Sequence, residues 1–182
     1  MEWNDCTYDV GVLRHAWTRK LNCPQTSSIG RLFDGAAALL ALVGRASYEG
    51  QAPCYLEAVS TGQAEPIDLP LSRGAGGVWV ADWRPLLDGL MDATQPVSGR
   101  AAMFHATLAE MLLAQARVLR DEYGACRLGL TGGVFQNRLL CERVLSHAKR
   151  DGFSAFLPER LPCNDAGISF GQIVEASAHD RR

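Results

Sequence analysis

Apolar residues recurring at three- and four-residue steps, Val10, Leu13, Trp17 and Leu21, predict an amphipathic helix over 8–21, which Asn22-Cys23-Pro24 stops. Thr26, Ser27 and Ser28 offer N-cap hydroxyls to a second helix over 29–43, rich in Ala and Leu and apolar all round as a buried helix is, with Gly44 at its end. A turn at Ser47-Tyr48-Glu49-Gly50 leads into a short helix over 52–60, and the irregular stretch 62–77 contains one strand, 66–71. A strand over 77–81 precedes a helix over 83–91, introduced by Asp82 at the cap and Pro85 in the first turn. The longest helix runs over 99–123, capped by Ser98, with Met103, Leu108, Leu112 and Leu119 as its core face. Beyond Gly124 the order is strand (126–130), glycine turn (131–133), helix (137–150), strand (153–157), loop and helix (166–178). Such alternation argues for an α/β sheet whose ligand lies at the carboxyl ends of the strands.

The length of 182 residues, with 47% hydrophobic and 21% charged, suits a single globular domain over 1–182 with a sizeable core. Eighteen Lys and Arg stand against 20 Asp and Glu, a net charge of -2, so general attraction to nucleic acid or to an anionic membrane is excluded. The six cysteines form no CxxC pair and read as reduced, mostly buried thiols. The first residues have no basic stretch followed by an apolar core, and no apolar run reaches spanning length, from which a cytoplasmic location is expected.

The chemistry concentrates in a few places. Leu128-Gly129-Leu130-Thr131-Gly132-Gly133-Val134-Phe135-Gln136-Asn137 reads as a strand that enters two glycines and then a helix. Paired glycines let a ligand approach bare backbone, and Asn137 has an amide suited to a ribose or a base; equally, the glycines make a tight turn and Asn137 caps the helix. The local pattern alone favours the turn and the cap. Asp165, in Pro162-Cys163-Asn164-Asp165-Ala166-Gly167, reads either as a metal ligand or as an N-cap, and locally the cap is favoured. Asp34 interrupts an apolar helix and so needs a partner, whether a ligand hydroxyl, Arg31 or Arg45. The four histidines have no HxxxH or HExxH spacing, and His105 reads as a hydrogen-bonded core or helix-contact residue. Ser28 and Ser72 lack a GxSxG setting, and Trp3, Trp17, Trp79 and Trp83 read as core or interface residues.

Four blocks in order, Thr26 to Asp34, Ser47 to Gln51, Thr131 to Asn137 and Asn164 to Gly167, with Phe104-His105 between the second and third, resemble one family over about 21–176. It is the hydrogenase-maturation carbamoyltransferase family, HypF, whose last domain is similar to the tRNA threonylcarbamoyl transferases. The resemblance implies an actin-like, sugar-kinase-type ATPase fold in which two ribonuclease-H-like lobes close over a nucleotide, this chain being the second lobe with helical insertions. By that likeness Asp34 and Gly50 line the ribose side, Gly132, Gly133 and Asn137 the adenosine side, and Asp165 binds a divalent metal. ATP or carbamoyl adenylate is the implied ligand.

The upstream parts that the family carries, including the first lobe with its phosphate-binding glycine loop and histidine-rich metal motif, do not occur in these 182 residues. The expectation is therefore a half-domain that contributes one cleft wall and has little or no activity alone. Its partners would be a first-lobe chain, the maturation protein whose cysteine receives the carbamoyl group, or a second copy in a homodimer. The alternative is a non-catalytic interaction or dimerisation module derived from the same lobe.

Overall fold

The computed structural model describes residues 9–180, whose contacts divide into two compact units, one ending at Leu56 and one beginning at Glu57. Trp3, Cys6 and the Tyr8 start of the first expected helix lie outside the described residues.

In the first unit α1 (Val10–Thr18) begins where Asp9 accepts from the amides of Gly11 (2.7 Å) and Val12 (3.4 Å). It stops before the expected Leu21 because Lys20 already adopts a left-handed backbone, at φ 55°. None of its residues is buried, and Trp17 is 73% exposed, so the apolar stripe covers no core among the described residues. The second helix, α2 (Ile29–Leu39), is also shorter than the pattern implied. Its end is set by Ala41, at φ 55°, with the Leu42 amide reaching back 2.9 Å to the Ala37 carbonyl, and not by Gly44. Its buried stripe is Phe33, Ala36 and Ala37, continued by Leu40, while Arg31 and Gly35 are exposed; the helix is amphipathic, not buried all round. Gly50, at φ 86°, turns the chain into α3 (Gln51–Val59), and the Gln51 Oε1 accepts from the Ser47 amide at 2.6 Å.

In the second unit β1 (Leu71–Arg73) pairs antiparallel with β2 (Trp79–Ala81), Leu71 opposite Ala81. The strand expected over 66–71 is displaced because Ile67 donates its amide to the Thr107 hydroxyl (2.9 Å) and not to a ladder. Helix α4 (Pro85–Met91) has Pro85 in its first turn; Arg84 is the cap residue, with its amide held by the Asp82 carboxylate at 3.0 Å.

Helix α5 (Val97–Tyr123) is the axis of the unit. It starts after Pro96, so Ser98 lies inside it, and it ends at Gly124, whose left-handed φ of 71° lets its amide reach the Arg120 carbonyl at 2.7 Å. Of the expected core face only Leu108 is fully buried; Met103 and Leu112 are half-buried and Leu119 is 43% exposed. Ala101, Ala102, Ala106, Ala109 and Ala116 are buried, with Phe104, Met111 and Leu113 among them, so neighbours close in on every side of the first half. A single-face periodicity does not describe a helix packed in that way.

Strand β3 (Arg127–Gly129) pairs parallel with β4 (Ser154–Phe156), and α6 (Arg138–Arg150) forms the crossover. Leu128 and Ala155 pack against Leu113, Ala116, Ala148 and Phe153, which fixes α5 and α6 on one face of the pair. Arg117 clamps the two helices, bonding Glu110 (2.5 Å) and Asp151 (2.7 Å), and Arg120 donates to the Asp151 carbonyl (2.8 Å) with its guanidinium 4.5 Å from the Phe153 ring centre. The strands expected on either side of the glycine turn and α6, β3 and β4, do pair with each other, while β1 and β2 form a separate pair among the described residues. The last helix, α7 (Ile168–His179), has no buried residue.

Leu113→Ala is expected to lower the unfolding free energy by about 2–4 kcal/mol in urea denaturation, since it opens a cavity in the α5–α6–sheet cluster. Leu119→Ala should cost less than about 1 kcal/mol.

Candidate functional site

The parallel strand pair ends where the chain must turn to enter α6, and that turn is built almost wholly from backbone bonds. The Leu130 amide donates to the Phe156 carbonyl (2.8 Å) and the Gly132 amide to the Cys163 carbonyl (2.5 Å), with the Thr131 hydroxyl 3.4 Å from the same oxygen. The loop after β4 is thereby fastened to the glycine turn. Gly133–Gln136 then forms one turn of 3-10 helix, which the pattern did not foresee, and Asn137 joins it to α6.

The two glycines differ in kind. Gly132 lies at φ 103°, ψ 157°, a region closed to residues with a Cβ, so local geometry demands it. Gly133 has no such backbone, and a Cβ there would meet nothing within 4 Å; the same is true of Gly129. All three are exposed, and the Gly133 and Val134 amides have no partner among the described residues. The result is a strip of bare backbone at the carboxyl end of β3, open to a group from outside the chain.

Asn137 carries the cap that the local pattern favoured: its Oδ1 accepts from the Leu140 amide at 2.8 Å. Its Nδ2 donates to His105 Nε2 at 3.1 Å, and His105 Nδ1 donates to the Ala101 carbonyl at 2.8 Å. Asn137 is 7% exposed and His105 is fully buried, as a core histidine should be; burial pushes its pKa down, opposed by the Ala101 carbonyl and the Glu57 carboxylate. One Nδ2 hydrogen and one Oδ1 lone pair of Asn137 are left over for any further bond. Beside it, Cys141 is buried with its thiol on the Phe135 carbonyl (3.0 Å), and desolvation raises its pKa, so it is no ready nucleophile. Among the described cysteines only Cys141 is buried, against the expectation: Cys23 and Cys126 are exposed in connecting segments, and Cys54 is exposed on the open face of α3.

Asp165 opens a 3-10 turn, Asp165–Gly167, but the cap is Asn164, whose side chain accepts from the Ala166 amide at 3.2 Å. The capping role read for Asp165 therefore passes to its neighbour, and Asp165 itself is exposed. Gly167 is needed here, since a Cβ would meet the Pro162 carbonyl oxygen at 2.9 Å. Among the described residues no group of three His, Cys, Asp or Glu side chains could hold a metal ion. One carboxylate is not a metal centre.

The Gly132–Cys163 bond fastens the segment that carries Asp165 to the turn that carries Gly132, Gly133 and Asn137. Asp34 and Gly50 belong to the other unit. Asp34 pairs with Arg31 at 3.0 Å and is half-buried, which settles its local partner as one of the three foreseen. The residue that sequence reasoning left out of the site is His105, 32 positions from the asparagine it holds.

Gly132→Ala is expected to cost about 1–3 kcal/mol in unfolding free energy, from backbone strain. Gly133→Ala, with open space around it, should change stability by less than about 0.5 kcal/mol, both read by denaturant titration.

Residues 3–172 match the family model described as the carbamoyltransferase Kae1-like domain, second subdomain. The chain is 35% identical over 164 residues to carbamoyltransferase HypF of Synechocystis, covering 89% of the chain and 21% of that protein. It is 37% identical over 168 residues to a HypF homologue of Cupriavidus necator, covering 87% and 42% respectively. The crystal structure of full-length HypF in a phosphate- and nucleotide-bound form superposes with a TM-score of 0.86 at 30% identity, over 95% of the chain and 23% of that structure. The chain therefore spans only about a fifth to two-fifths of these relatives, and its α/β architecture is the Kae1-like fold. By the family model, by these identities and by that superposition, the chain belongs to the HypF carbamoyltransferase family and corresponds to the second subdomain of its Kae1-like domain.

Proposed function

We propose that the chain acts in hydrogenase maturation as one wall of a cleft for ATP or carbamoyl adenylate, completed by a first subdomain. The observation that carries this reading is the bare backbone at Gly129, Gly132 and Gly133, at the carboxyl end of a parallel strand, where Gly133 has no internal need to be glycine. Side chains there would fill space that the folded chain leaves open. A related structure bound to nucleotide and phosphate supports the choice of ligand.

In this proposal the Gly132–Gly133 strip lies against the adenosine and Asn137 offers its remaining amide hydrogen. Transfer would form a bond from the thiolate of a partner protein's cysteine to the carbamoyl carbon and break the bond to the adenylate oxygen, releasing AMP. This chain's part is to hold the nucleotide. Asp165 alone does not fit a metal; in the assembled cleft it would supply one oxygen donor, the others coming from outside the chain.

Ile168, Phe170, Ile173 and Val174 are all exposed on α7, which favours a second role as a docking face for the first subdomain or for another copy of the chain.

The chain alone is expected to bind ATP with Kd on the order of millimolar, because half a cleft must still meet the cost of immobilising a flexible ligand. Calorimetry with a first-subdomain fragment added should show affinity at least about tenfold tighter, and Gly133→Ala should weaken that gain without loss of stability. Metal-dependent ATP turnover by the chain alone, or no nucleotide heat with the fragment present, would contradict the proposal.

A further inference from the structure

The relay from α5 to the glycine turn has its polarity fixed at both ends. The Ala101 carbonyl can only accept, so His105 Nδ1, 2.8 Å away, must carry a hydrogen. At the other end the Leu140 amide can only donate, so the Asn137 atom 2.8 Å from it must be the oxygen, which turns Nδ2 toward His105. Nδ2 can only donate, and His105 Nε2 must therefore be a bare acceptor. One protonation state satisfies all four groups: a neutral imidazole with its hydrogen on Nδ1. Asn137 at once closes the Gly133–Gln136 turn, its amide on the Val134 carbonyl at 3.1 Å, and caps α6.

We propose that His105 is a positioning residue for the ligand-facing turn: by accepting from Asn137 it fixes the direction of that amide, and through it the cap of α6 and the placement of Gly132 and Gly133. That the turn faces a ligand rests on the function proposed above; the control of the turn by His105 does not. Protonation of His105 would set an Nε2 hydrogen against the Nδ2 hydrogens, and the amide could answer only by turning its oxygen away from Leu140. Among the described residues, Glu57, which accepts from the Leu139 amide at 3.1 Å, favours the imidazolium, and Arg143 on α6 opposes it. Burial, aided by Arg143, outweighs Glu57 and the Ala101 carbonyl. With the folded pKa below the unfolded value, the neutral relay contributes fully above about pH 6.5 and is lost as pH falls through the folded pKa.

Nitrogen-15 spectroscopy of the imidazole in the full chain tests this. At pH 7 His105 should be neutral with its proton on Nδ1. A proton on Nε2, or an imidazolium at pH 7, would overturn the proposal. In Asn137→Asp the cap survives but the Nδ2 donor is replaced by a carboxylate oxygen, so His105 should take a second proton and its titration midpoint should rise by roughly 1–3 pH units. An unmoved midpoint would also overturn it.

A pair of substitutions separates positioning from packing. His105→Gln can place an acceptor near Nε2 and should hold Leu140 amide exchange within about threefold of the parent, whereas His105→Asn, too short to reach Asn137, should accelerate it about tenfold. Equal acceleration in both would reduce His105 to a packing residue. None of these readouts uses a nucleotide, so failure of ATP binding with the relay intact would count against the proposed function alone.

Discussion

A buried polar group must find its partners inside the fold, and in the larger unit this requirement falls on one helix. The first half of α5 is enclosed on nearly all sides, and it carries a fully buried histidine. Left unpaired, His105 would cost on the order of 1–3 kcal/mol for each stranded group. Its two ring nitrogens are instead spent on the Ala101 carbonyl and Asn137, and the second bond fixes where α6 begins. The glycine turn is then held between that cap and the Cys163 carbonyl. Apolar packing of α5, α6 and the strand pair brings these parts together, but the polar relay decides the conformation of the turn between them.

The order of elements was largely legible because its signals are local. Gly124, the Thr131–Gly133 turn and Asn137 marked their boundaries by conformational need or by capping chemistry, and the strand–turn–helix–strand run from Arg127 to Phe156 follows them. Boundaries failed where that need was met by an ordinary residue. Ala41 takes the left-handed position that ends α2, and no pattern singles out one alanine among its neighbours. The start of α5 was missed because Pro96 stands in place of a hydrogen-bonding cap. Its core was misjudged because buried alanines carry little apolar signal, yet they allow the closest packing.

The site divides in the same way. Gly132 was found through the turn it makes, and the structure adds a distinction that sequence does not hold: Gly132 is demanded by its φ, whereas Gly133 is demanded by nothing inside the described chain. Asn164, not Asp165, is the cap, since either side chain suits that role and only the chain path decides. The bond from Asn137 to His105 joins positions 32 apart and has no sequence signature of its own. The apolar stripe of α1 reads as a buried face and yet lies exposed, as do Ile168, Phe170, Ile173 and Val174 on α7; the pattern of a buried face is the same whether its cover lies within the chain or in a partner.

The claim on which the account stands is that the strip after β3 is where a nucleotide lies. Backbone amide chemical shifts of the isotopically labelled chain, followed during titration with AMP, test it most directly. The account predicts that the Gly132, Gly133 and Val134 resonances move first and saturate together with those of Asn164 to Gly167. Shifts confined to other parts of the chain, with the 131–137 amides unmoved at saturation, would contradict it.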